Sequence, residues 1–255
     1  MTHIVVLGDI HANLFALDAA LVQATRGPMD HLVFLGDLLT YGLHVGAVIA
    51  RVRSAQARHG AVLLTGNHDQ LYLDLARGDD HYLAKLPDWI RESVDWTRTH
   101  LDDGALAGLR WSAEHVIDGA LFSHANPFGG RDWTYLNHPP ELARAAAALA
   151  DRGLSLGVFG HTHRPRWGSG DIAVGQPVTL PRSAAAPIVA NAGSVGQPRD
   201  RHARSYVLRL ELTPDAATAT FEPVDYDVAA HLRSFDGSGL SDATIARLRG
   251  FFVTG

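Results

Sequence analysis

The chain contains 255 residues, of which 46% are hydrophobic and 19% are charged; these values are typical of globular proteins and exclude a disordered or collagen-like chain. Its 22 basic and 27 acidic residues give a formal net charge of −5, which excludes the excess of positive charge that nonspecific nucleic-acid binding requires. The sequence has no cysteine, so disulfides, thiolate metal sites and cysteine nucleophiles are excluded, and any metal must bind nitrogen and oxygen ligands.

The sequence shows neither a secretion signal nor a membrane span. Residues 1–7 lack a basic region and a long apolar stretch, and no window approaches the roughly 18 consecutive apolar residues that a membrane span needs. We therefore expect a cytoplasmic protein without membrane contact. At this length we expect one domain over residues 1–255, in which residues 225–255 form a C-terminal helical extension.

The first part of the chain alternates two kinds of segment. Apolar, β-branched runs predict strands, and apolar positions that recur every three or four residues predict helices with one buried face. The predicted elements are a strand over residues 4–7, a helix capped by Asn13 over 14–24, a strand over 32–35, a helix over 45–52 and a strand over 62–64. This order indicates parallel βαβ units, which bind ligands at the carboxyl ends of their strands.

The second part of the chain is helical at first and then rich in strands. In chain order we expect a helix whose buried face carries Ile90, Val94, Thr97 and Leu101, a strand over 120–122, a helix over 140–150, a strand over 154–159, a surface loop over 168–187 and a strand over 188–190. The last two strands, 206–212 and 217–224, are separated by Pro214 and Asp215, which favour a turn. We therefore expect an antiparallel hairpin at this point.

Five polar clusters share one position, because each directly follows a predicted strand. They are Asp9-Ile10-His11, Gly36-Asp37, Gly66-Asn67-His68-Asp69, His124 and Gly160-His161-Thr162-His163. If the strands are neighbours, their ends converge, and the aspartate, asparagine and histidine side chains meet at one edge. Mixed nitrogen and oxygen ligands of this kind suit two divalent cations of the Mn, Fe or Zn type.

The pattern within the clusters also suits metal binding. Residues i and i+2 of an extended segment point the same way, so both ends of Asp9-x-His11 and of His161-x-His163 can reach the metals. Two cations about 3.5 to 4 Å apart need a shared anionic ligand, for which Asp37 is the best candidate. The adjacent glycines are expected to permit sharp turns and not to bind metal; they are Gly8, Gly36, Gly66 and Gly160.

In their order and spacing, the five clusters resemble the blocks D-x-H, G-D, G-N-H-[DE], H and G-H-x-H of the calcineurin-like metallophosphoesterase superfamily. Residues 191–199, Asn-Ala-Gly-Ser-Val-Gly-Gln-Pro-Arg, resemble a segment typical of its small bacterial phosphodiesterase and phosphatase branch. The resemblance covers most of the chain. It implies an α/β fold of four layers, α/β/β/α, with two mixed sheets and a dinuclear metal site at the carboxyl edge of the strands.

The resemblance also implies roles for individual residues. One metal would be bound by Asp9, His11, Asp37 and His163, and the other by Asp37, Asn67, His124 and His161. His68 would face the scissile phosphate, offset the charge of its oxygens and protonate the leaving oxygen. The implied cofactors are two divalent ions, with Mn²⁺ first and Fe, Zn, Ni or Mg as the other choices.

These observations predict a metal-dependent phosphoester hydrolase in which a metal-bridging hydroxide attacks phosphorus in line. We expect a phosphodiesterase acting on a small-molecule, nucleotide or phosphoprotein substrate, with a phosphomonoesterase or serine/threonine protein phosphatase as the alternative. A scaffold that keeps the fold without catalysis would be expected to lack a ligand or His68, and none is missing here. A catalytically silent metal-binding regulatory protein stays as an alternative of a different class. The G-x-S-x-G match at 153–157 does not indicate a serine hydrolase, because a helix precedes it and a strand follows it.

Further residues are candidates for supporting the reaction. Asp69 is expected to accept the second ring N–H of His68 and so orient the imidazole, and it is also placed to cap a helix. Trp133 is placed to line the substrate mouth, whereas Trp89 is expected to be a packing residue. The candidates for substrate contact are Asn13, Arg131, Tyr135, Arg164 and Arg199, the arginines through bidentate hydrogen bonds to a second phosphate.

Overall fold

The computed structural model describes residues 1–170 and 172–253. The strands are β1 (Thr2–Leu7), β2 (His31–Phe34), β3 (Val62–Leu64), β4 (Trp111–Ser112), β5 (Glu114–Ile117), β6 (Ala120–Ser123), β7 (Leu156–Phe159), β8 (Arg166–Trp167), β9 (Val178–Pro181), β10 (Ile188–Asn191), β11 (Tyr206–Leu212) and β12 (Ala216–Pro223). The helices are α1 (Leu14–Ala24), α2 (Val45–His59), α3 (Asn67–Leu75), α4 (Asp88–Thr99), α5 (Pro139–Asp151), α6 (Val228–Arg233) and α7 (Asp242–Arg249). Leu83–Lys85 and Gly250–Phe252 form single 3-10 turns.

The strands form two mixed sheets. The seven-stranded sheet has the order β4-β3-β2-β1-β11-β12-β9, in which β1 to β4 are parallel to one another and the other three pair antiparallel. The five-stranded sheet has the order β5-β6-β7-β10-β8, with three parallel central strands between two antiparallel edges. The parallel strands of each sheet present their carboxyl ends at one edge, where the polar clusters begin.

Side-chain alternation along β1 separates two hydrophobic cores, because successive residues of a strand point to opposite faces. Val6 packs between the two sheets in one cluster with Phe122 of β6 and Val158 of β7. Val5 faces the other way and belongs to the cluster that includes Leu17 of α1. Strand β1 is thus buried on both faces over residues 4–7, as its continuous apolar sequence predicts.

The outer face of the five-stranded sheet is covered by α5. Leu121 of β6 and Phe159 of β7 are fully buried there, in one cluster with Leu149 of α5. Helices therefore lie outside both sheets, and the predicted four-layer α/β/β/α architecture is confirmed.

Most predicted elements are present, and the hairpin of β11 and β12 is confirmed by its antiparallel register. The prediction of a loop over 168–187 is wrong in one segment, because β9 lies inside it and pairs antiparallel with β12. The edge position of β9 explains the error, since an edge strand tolerates the proline Pro181 that argues against a strand in the sequence. Asp171 of the predicted loop lies outside the described residues. Helix α4 ends at Thr99, so Leu101 lies beyond the predicted helical face.

The C-terminal segment packs on the loop that follows β2. Phe235, Leu240 and Leu248 form a buried cluster with Tyr41 of that loop. Helix α7 also contacts α4, so this segment closes over the end of the seven-stranded sheet. Thr254 and Gly255, the last residues of the predicted helical extension, lie outside the described residues. Within residues 1–170 and 172–253, no helix combines the length and apolar character that crossing a membrane requires.

His231 of α6 is buried against aromatic rings in this segment. Its ring centroid lies 5.0 Å from that of Phe252, 5.3 Å from Phe235 and 6.4 Å from Phe15. Burial lowers the pKa of His231 from its usual 6.5 to about 3, because a charged imidazole is poorly solvated there. The native state therefore holds this histidine neutral.

This lowered pKa predicts a specific acid sensitivity. The unfolded chain takes up a proton at His231 below about pH 6.5, whereas the folded chain does so only near pH 3. The free energy of unfolding therefore decreases as the pH is lowered through that window. In urea unfolding at several pH values, we expect the free energy of unfolding of His231→Phe to fall less between pH 7 and pH 4 than that of the parent. Parallel curves for the two proteins would contradict this prediction.

Candidate metal centre

The loops at the carboxyl ends of both sheets converge on one buried group of polar side chains. Asp9 follows β1, Asp37 follows β2 and Asn67 begins α3 after β3, all in the seven-stranded sheet. His124 follows β6 and His161 follows β7 in the five-stranded sheet. The site thus lies where the two sheets meet, and the predicted convergence of the five clusters is present.

The first group contains Asp9, His11, Asp37 and His163, whose ligand atoms all lie within 4.8 Å of one another. Oδ1 of Asp9 is 3.2 Å from Nε2 of His163, and Oδ2 of Asp37 is 3.7 Å from Nε2 of His11. All four side chains are buried. This is the set that the resemblance assigned to one metal.

The second group contains Asp37, His124 and His161, also within 4.8 Å. The same Oδ2 of Asp37 lies 3.5 Å from Nε2 of His124, while Oδ1 accepts the backbone N–H of His68 at 2.9 Å. The side-chain oxygen of Asn67 is 3.1 Å from Nε2 of His124. One oxygen of Asp37 therefore faces both groups, which is the position that a bridging ligand requires.

Backbone carbonyls fix the tautomer of all four histidines in the two groups. A carbonyl only accepts hydrogen bonds, so the ring nitrogen beside it must carry the proton. The contacts are His11 Nδ1 to Leu39 O at 3.0 Å, His124 Nδ1 to Leu35 O at 2.9 Å, His161 Nε2 to Trp133 O at 3.0 Å and His163 Nδ1 to Gln197 O at 2.6 Å. Histidines that bind metals are oriented in this way in other proteins.

The remaining nitrogen of each neutral ring then carries a lone pair, and these lone pairs face one another. Nε2 of His11 lies 3.2 Å from Nε2 of His163, and Nε2 of His124 lies 3.2 Å from Nδ1 of His161. With the protons held at the carbonyls, neither pair can form a hydrogen bond in its neutral state. The donor set therefore fits two cations, one at each pair, with the shared oxygen of Asp37 beside both.

Burial shifts the pKa of these groups toward their neutral forms, because charged groups are poorly solvated there. It raises the pKa of Asp9 to about 6 and that of Asp37 well above its usual value, with the charge of Asp9 adding to the second shift. Burial also lowers the pKa of His11, His161 and His163 well below the usual value. Because metal ligands must be deprotonated, protons and cations compete for the two carboxylates.

The backbone at the ligands is turned, not extended. Left-handed φ angles are found at Asp9 (53°), His11 (47°), Asp37 (51°), His161 (64°) and His163 (58°). The expected i, i+2 alternation therefore does not explain why the side chains converge; a series of tight turns does. Non-glycine residues in this region cost free energy and cluster at functional sites, where the surrounding structure enforces them.

The glycines beside the ligands also differ from the expectation. Of the four, only Gly36 has a left-handed φ, at 97°. At Gly66 a Cβ would lie 2.1 Å from Oδ1 of Asp37, and at Gly160 a Cβ would lie 2.5 Å from Oδ2 of Asp9. These two positions require glycine because a ligand carboxylate occupies the space that a side chain would need.

Of the two roles expected for Asp69, the structure shows the helix cap. Its carboxylate accepts the backbone N–H groups of Asp37 at 2.7 Å, Leu38 at 2.9 Å and Gly66 at 3.0 Å. Among the hydrogen bonds of the described residues, none joins Asp69 to the ring of His68. Asp69 therefore caps α3 and holds the loop that carries Asp37, and it does not orient the imidazole.

The hydroxyl of Tyr41 lies within hydrogen-bond distance of the His68 ring. Its oxygen lies 3.1 Å from Nε2 of His68, and Nδ1 of His68 is buried without a hydrogen-bond partner in the described part of the chain. The His68 ring is oriented edge-on to that of His11, with centroids 5.3 Å apart. Burial lowers the pKa of His68, and the positive charge of Arg199 lowers it further.

Residues 191–199 fasten the ligand loops of the two sheets together. Asn191 donates its side-chain N–H to the carbonyl of Gly160, and the carbonyl of Gln197 accepts from His163. The hydroxyl of Ser194 donates to the carbonyl of Asp9 at 2.8 Å. This segment thus holds the loops after β1 and β7 in register, which gives a physical reason for its sequence.

The five residues considered for substrate contact lie in different surroundings. Asn13 is fully buried; its side-chain oxygen caps α1 and its amide group donates to Gly196 O and the Tyr226 hydroxyl, so it does not reach the site. Arg131 pairs with Asp74 at 2.9 Å, and Arg164 donates to the carbonyl of Arg199.

Tyr135 and Arg199 do line a cavity at the site. The cavity has a volume of about 220 Å³ and is also lined by Asp37, Asn67, His68, His161 and His163. The ring of Tyr135 stacks on His161 at 4.0 Å. A larger groove of about 980 Å³ lies between α1 and the β11–β12 hairpin, and none of the ligand side chains lines it.

Sequence reasoning missed the rest of this cavity wall, which contains Tyr41, Trp89, Ile90, Arg247 and Phe251. Trp89 was expected to be a packing residue, but it also faces the cavity. Tyr41 comes from the loop after β2, Trp89 and Ile90 come from α4, and Arg247 and Phe251 come from the C-terminal segment. No local pattern marks the last four, and the packing of the C-terminal segment on α4 brings them to the site.

The sequence matches the model of the calcineurin-like phosphoesterase superfamily domain over residues 2–213. An uncharacterized protein of Methanocaldococcus jannaschii is 29% identical over 205 residues, which cover 77% of each chain. A crystal structure of a metallophosphoesterase from Sphaerobacter thermophilus has a TM-score of 0.76 at 23% identity and covers 98% of this chain and 99% of the other. A crystal structure of a hypothetical protein from Pyrococcus horikoshii has a TM-score of 0.75 at 18% identity and covers 97% and 98%.

The two structural similarities show that the fold is shared over almost the whole chain. The family match extends from β1 through β11 and includes both groups of buried aspartate and histidine ligands. Such groups within this family indicate a divalent metal site. The chain therefore belongs to the calcineurin-like phosphoesterase superfamily.

Proposed function

We propose that the protein hydrolyses phosphodiesters with two divalent metal ions, one held by each ligand group. The proposal is carried by the two pairs of facing histidine nitrogens that share one oxygen of Asp37. Bound ions supply an activated water as nucleophile and offset the charge that develops on the phosphoryl oxygens. Mn²⁺ is our first choice of metal, because it accepts mixed imidazole and carboxylate ligands.

In this mechanism Asp37, Asp9, Asn67 and the four ligand histidines hold the ions, and His68 acts on the substrate. The His68 ring faces the cavity, with Nδ1 free of protein partners in the described residues and Nε2 held by Tyr41. A phosphate anion beside the ring raises its pKa again, because an opposite charge favours the protonated form. His68 then stabilises the phosphoryl oxygens and gives a proton to the leaving oxygen.

Phosphodiesters are placed first because aromatic side chains surround the cavity and suit organic groups on both ester oxygens. Tyr41, Trp89, Tyr135 and Phe251 supply these walls. Phosphomonoesters are the second candidate, favoured by the positive charges of Arg199 and Arg247, which suit a dianion. The ligand side chains are at most 4% exposed, which favours a small molecule or nucleotide over a phosphorylated residue on a folded protein.

Chelator treatment should abolish turnover, and Mn²⁺ should restore it, because the proposed nucleophile depends on the ions. Metal content is measured by elemental analysis and should approach two ions per chain. Initial rates are measured on bis-p-nitrophenyl phosphate, p-nitrophenyl phosphate, cyclic nucleotides, dinucleoside polyphosphates and a phosphopeptide. Full activity of the metal-free protein would contradict the proposed function, and the preferred substrate distinguishes diester from monoester hydrolysis.

Asp37→Asn should impair the protein more than Asp9→Asn. The first change weakens the ligand that faces both groups, whereas the second removes charge from only one group. We expect Asp37→Asn to lose metal from both sites and Asp9→Asn from one, measured as metal content and rate together. Asp215→Asn, in the hairpin turn, is the matched control. Two bound ions and a normal rate in Asp37→Asn would exclude a bridging role.

His68→Ala should keep both metals and lose turnover, because His68 is proposed to act on the substrate and not to bind metal. General acid catalysis contributes about 10² to 10⁴ in rate, so a loss of that size in kcat is expected on alkyl esters. The loss should be smaller on nitrophenyl esters, whose leaving group needs no proton.

Metal content and thermal melting control for the integrity of the His68→Ala protein, and His59→Ala, an exposed histidine of α2, is the matched variant. An equal loss on alkyl and nitrophenyl esters would restrict His68 to charge stabilisation. Loss of an ion would instead identify His68 as a ligand.

A further inference from the structure

Two arginines from distant parts of the chain line the cavity beside the metal centre. Arg199 belongs to the segment after β10, and Arg247 belongs to α7. His68, His161 and His163 line the same cavity. Of the three arginines considered from the sequence, only Arg199 lies in this wall, and the C-terminal segment supplies the second one.

Aromatic rings hold both guanidinium groups. The guanidinium carbon of Arg247 lies 5.7 Å from the ring centroid of Trp89, and that of Arg199 lies 5.3 Å from the ring centroid of Phe251. Trp89 in turn stacks on Tyr41 at 5.5 Å. Cations within about 6 Å of an aromatic ring are stabilised by the ring face. These contacts place both guanidinium groups against rings of the cavity wall.

Among the described residues, neither arginine has a carboxylate within ion-pair distance. Nε and Nη2 of Arg199 donate to the neutral side-chain oxygen of Gln197 at 3.1 and 2.6 Å, and Arg247 forms no ion pair within the described ranges. Two acids share an outer groove with Arg247, but both are engaged elsewhere. Asp88 pairs with Arg91, and Glu92 accepts hydrogen bonds from the start of α7.

With two divalent ions bound, the cavity would carry more positive charge than one bound phosphate neutralises. Under the proposed function, two divalent ions outweigh the charges of Asp9 and Asp37, so the centre itself already attracts the scissile phosphate. Arg199 and Arg247 add two further positive charges in the same cavity. Arginine binds carboxylate and phosphate groups through paired N–H donors, which makes a second anionic group the matching ligand.

We propose that Arg199 and Arg247, held by Phe251 and Trp89, form a second anion subsite beside the metal centre. The substrate class is then a compact phosphoester that carries a further phosphate or carboxylate a few bonds from the scissile phosphorus. The volume of about 220 Å³ is consistent with such a compact ligand. The inference rests on the proposed function and assigns the C-terminal segment to substrate selection.

The test uses matched substrates that differ by one anionic group, with the full-length Mn²⁺-loaded protein. The diester pair is thymidine 5′-(4-nitrophenyl phosphate) without and with a 3′-phosphate, and the monoester pair is sn-glycerol 3-phosphate and D-glycerate 3-phosphate. For each pair the preference is the ratio of kcat/KM for the doubly anionic member to that for the singly anionic one. The first pair tests a second phosphate and the second pair tests a carboxylate.

We expect the parent to prefer the doubly anionic member of at least one pair, and Arg247→Ala to lower that preference about three- to tenfold. Arg247→Lys should give an intermediate value, because it keeps the charge and loses the paired donors. The control is Arg58→Ala, an exposed arginine of α2 outside this cavity, which should leave the preference unchanged. Melting temperature and metal content exclude misfolding of the variants.

An unchanged preference in a folded, metal-loaded Arg247→Ala protein would overturn the subsite and leave the proposed function intact. Absence of Mn²⁺-dependent turnover on all four substrates would contradict the proposed function instead. Calorimetric titration then still decides the inference, using thymidine 5′-monophosphate and thymidine 3′,5′-bisphosphate. The affinity preference is the Kd of the monophosphate divided by the Kd of the bisphosphate. A smaller preference in Arg247→Ala than in the parent supports the subsite, and equal preferences overturn it.

Discussion

At the junction of the two sheets, nitrogen and oxygen atoms with lone pairs are buried without hydrogen-bond donors. This burial is the constraint on which the rest of the structure depends. Two pairs of imidazole nitrogens face each other at 3.2 Å, and Oδ2 of Asp37 lies near both pairs. Removing such groups from water is costly unless they are paired or coordinate a metal. The four histidines and Asp37 would hold divalent cations, which would compensate for this cost. The backbone carbonyls already fix the histidine tautomers that such binding requires.

The surrounding backbone keeps this arrangement in place. Asp69 accepts three backbone N–H groups and holds the Asp37 loop against α3, and residues 191–199 fasten the loops after β1 and β7. The ligand residues adopt left-handed φ angles, which only a well-packed framework can maintain. Glycine at positions 66 and 160 leaves room for the ligand carboxylates. The two sheets and their buried cores supply the rigidity that these turns require.

The C-terminal segment forms part of the cavity wall beside this centre. Its buried cluster packs on Tyr41, whose hydroxyl contacts His68, so the same packing supports both the His68 ring and the cavity wall. Arg247 and Phe251 reach the cavity only because α7 lies on α4. The family match ends at residue 213, so these residues lie outside the part of the chain that the family model describes. Under the proposed second anion subsite, residues outside the family domain would select the substrate, while the metal ligands lie within it.

The sequence by itself determined the alternation of strands and helices, the cysteine-free ligand set and the placement of the polar clusters at strand ends. These features are local, because periodicity and turn residues act over a few positions. Tertiary structure decided the role of Asp69, the edge strand β9 and the wall formed by Trp89, Arg247 and Phe251. Each of these depends on contacts between segments far apart in the chain: the Asp37 loop for Asp69, β12 for β9, and the packing of α7 on α4 for the cavity wall. Local sequence patterns do not predict contacts between distant segments, so only the folded chain reveals them.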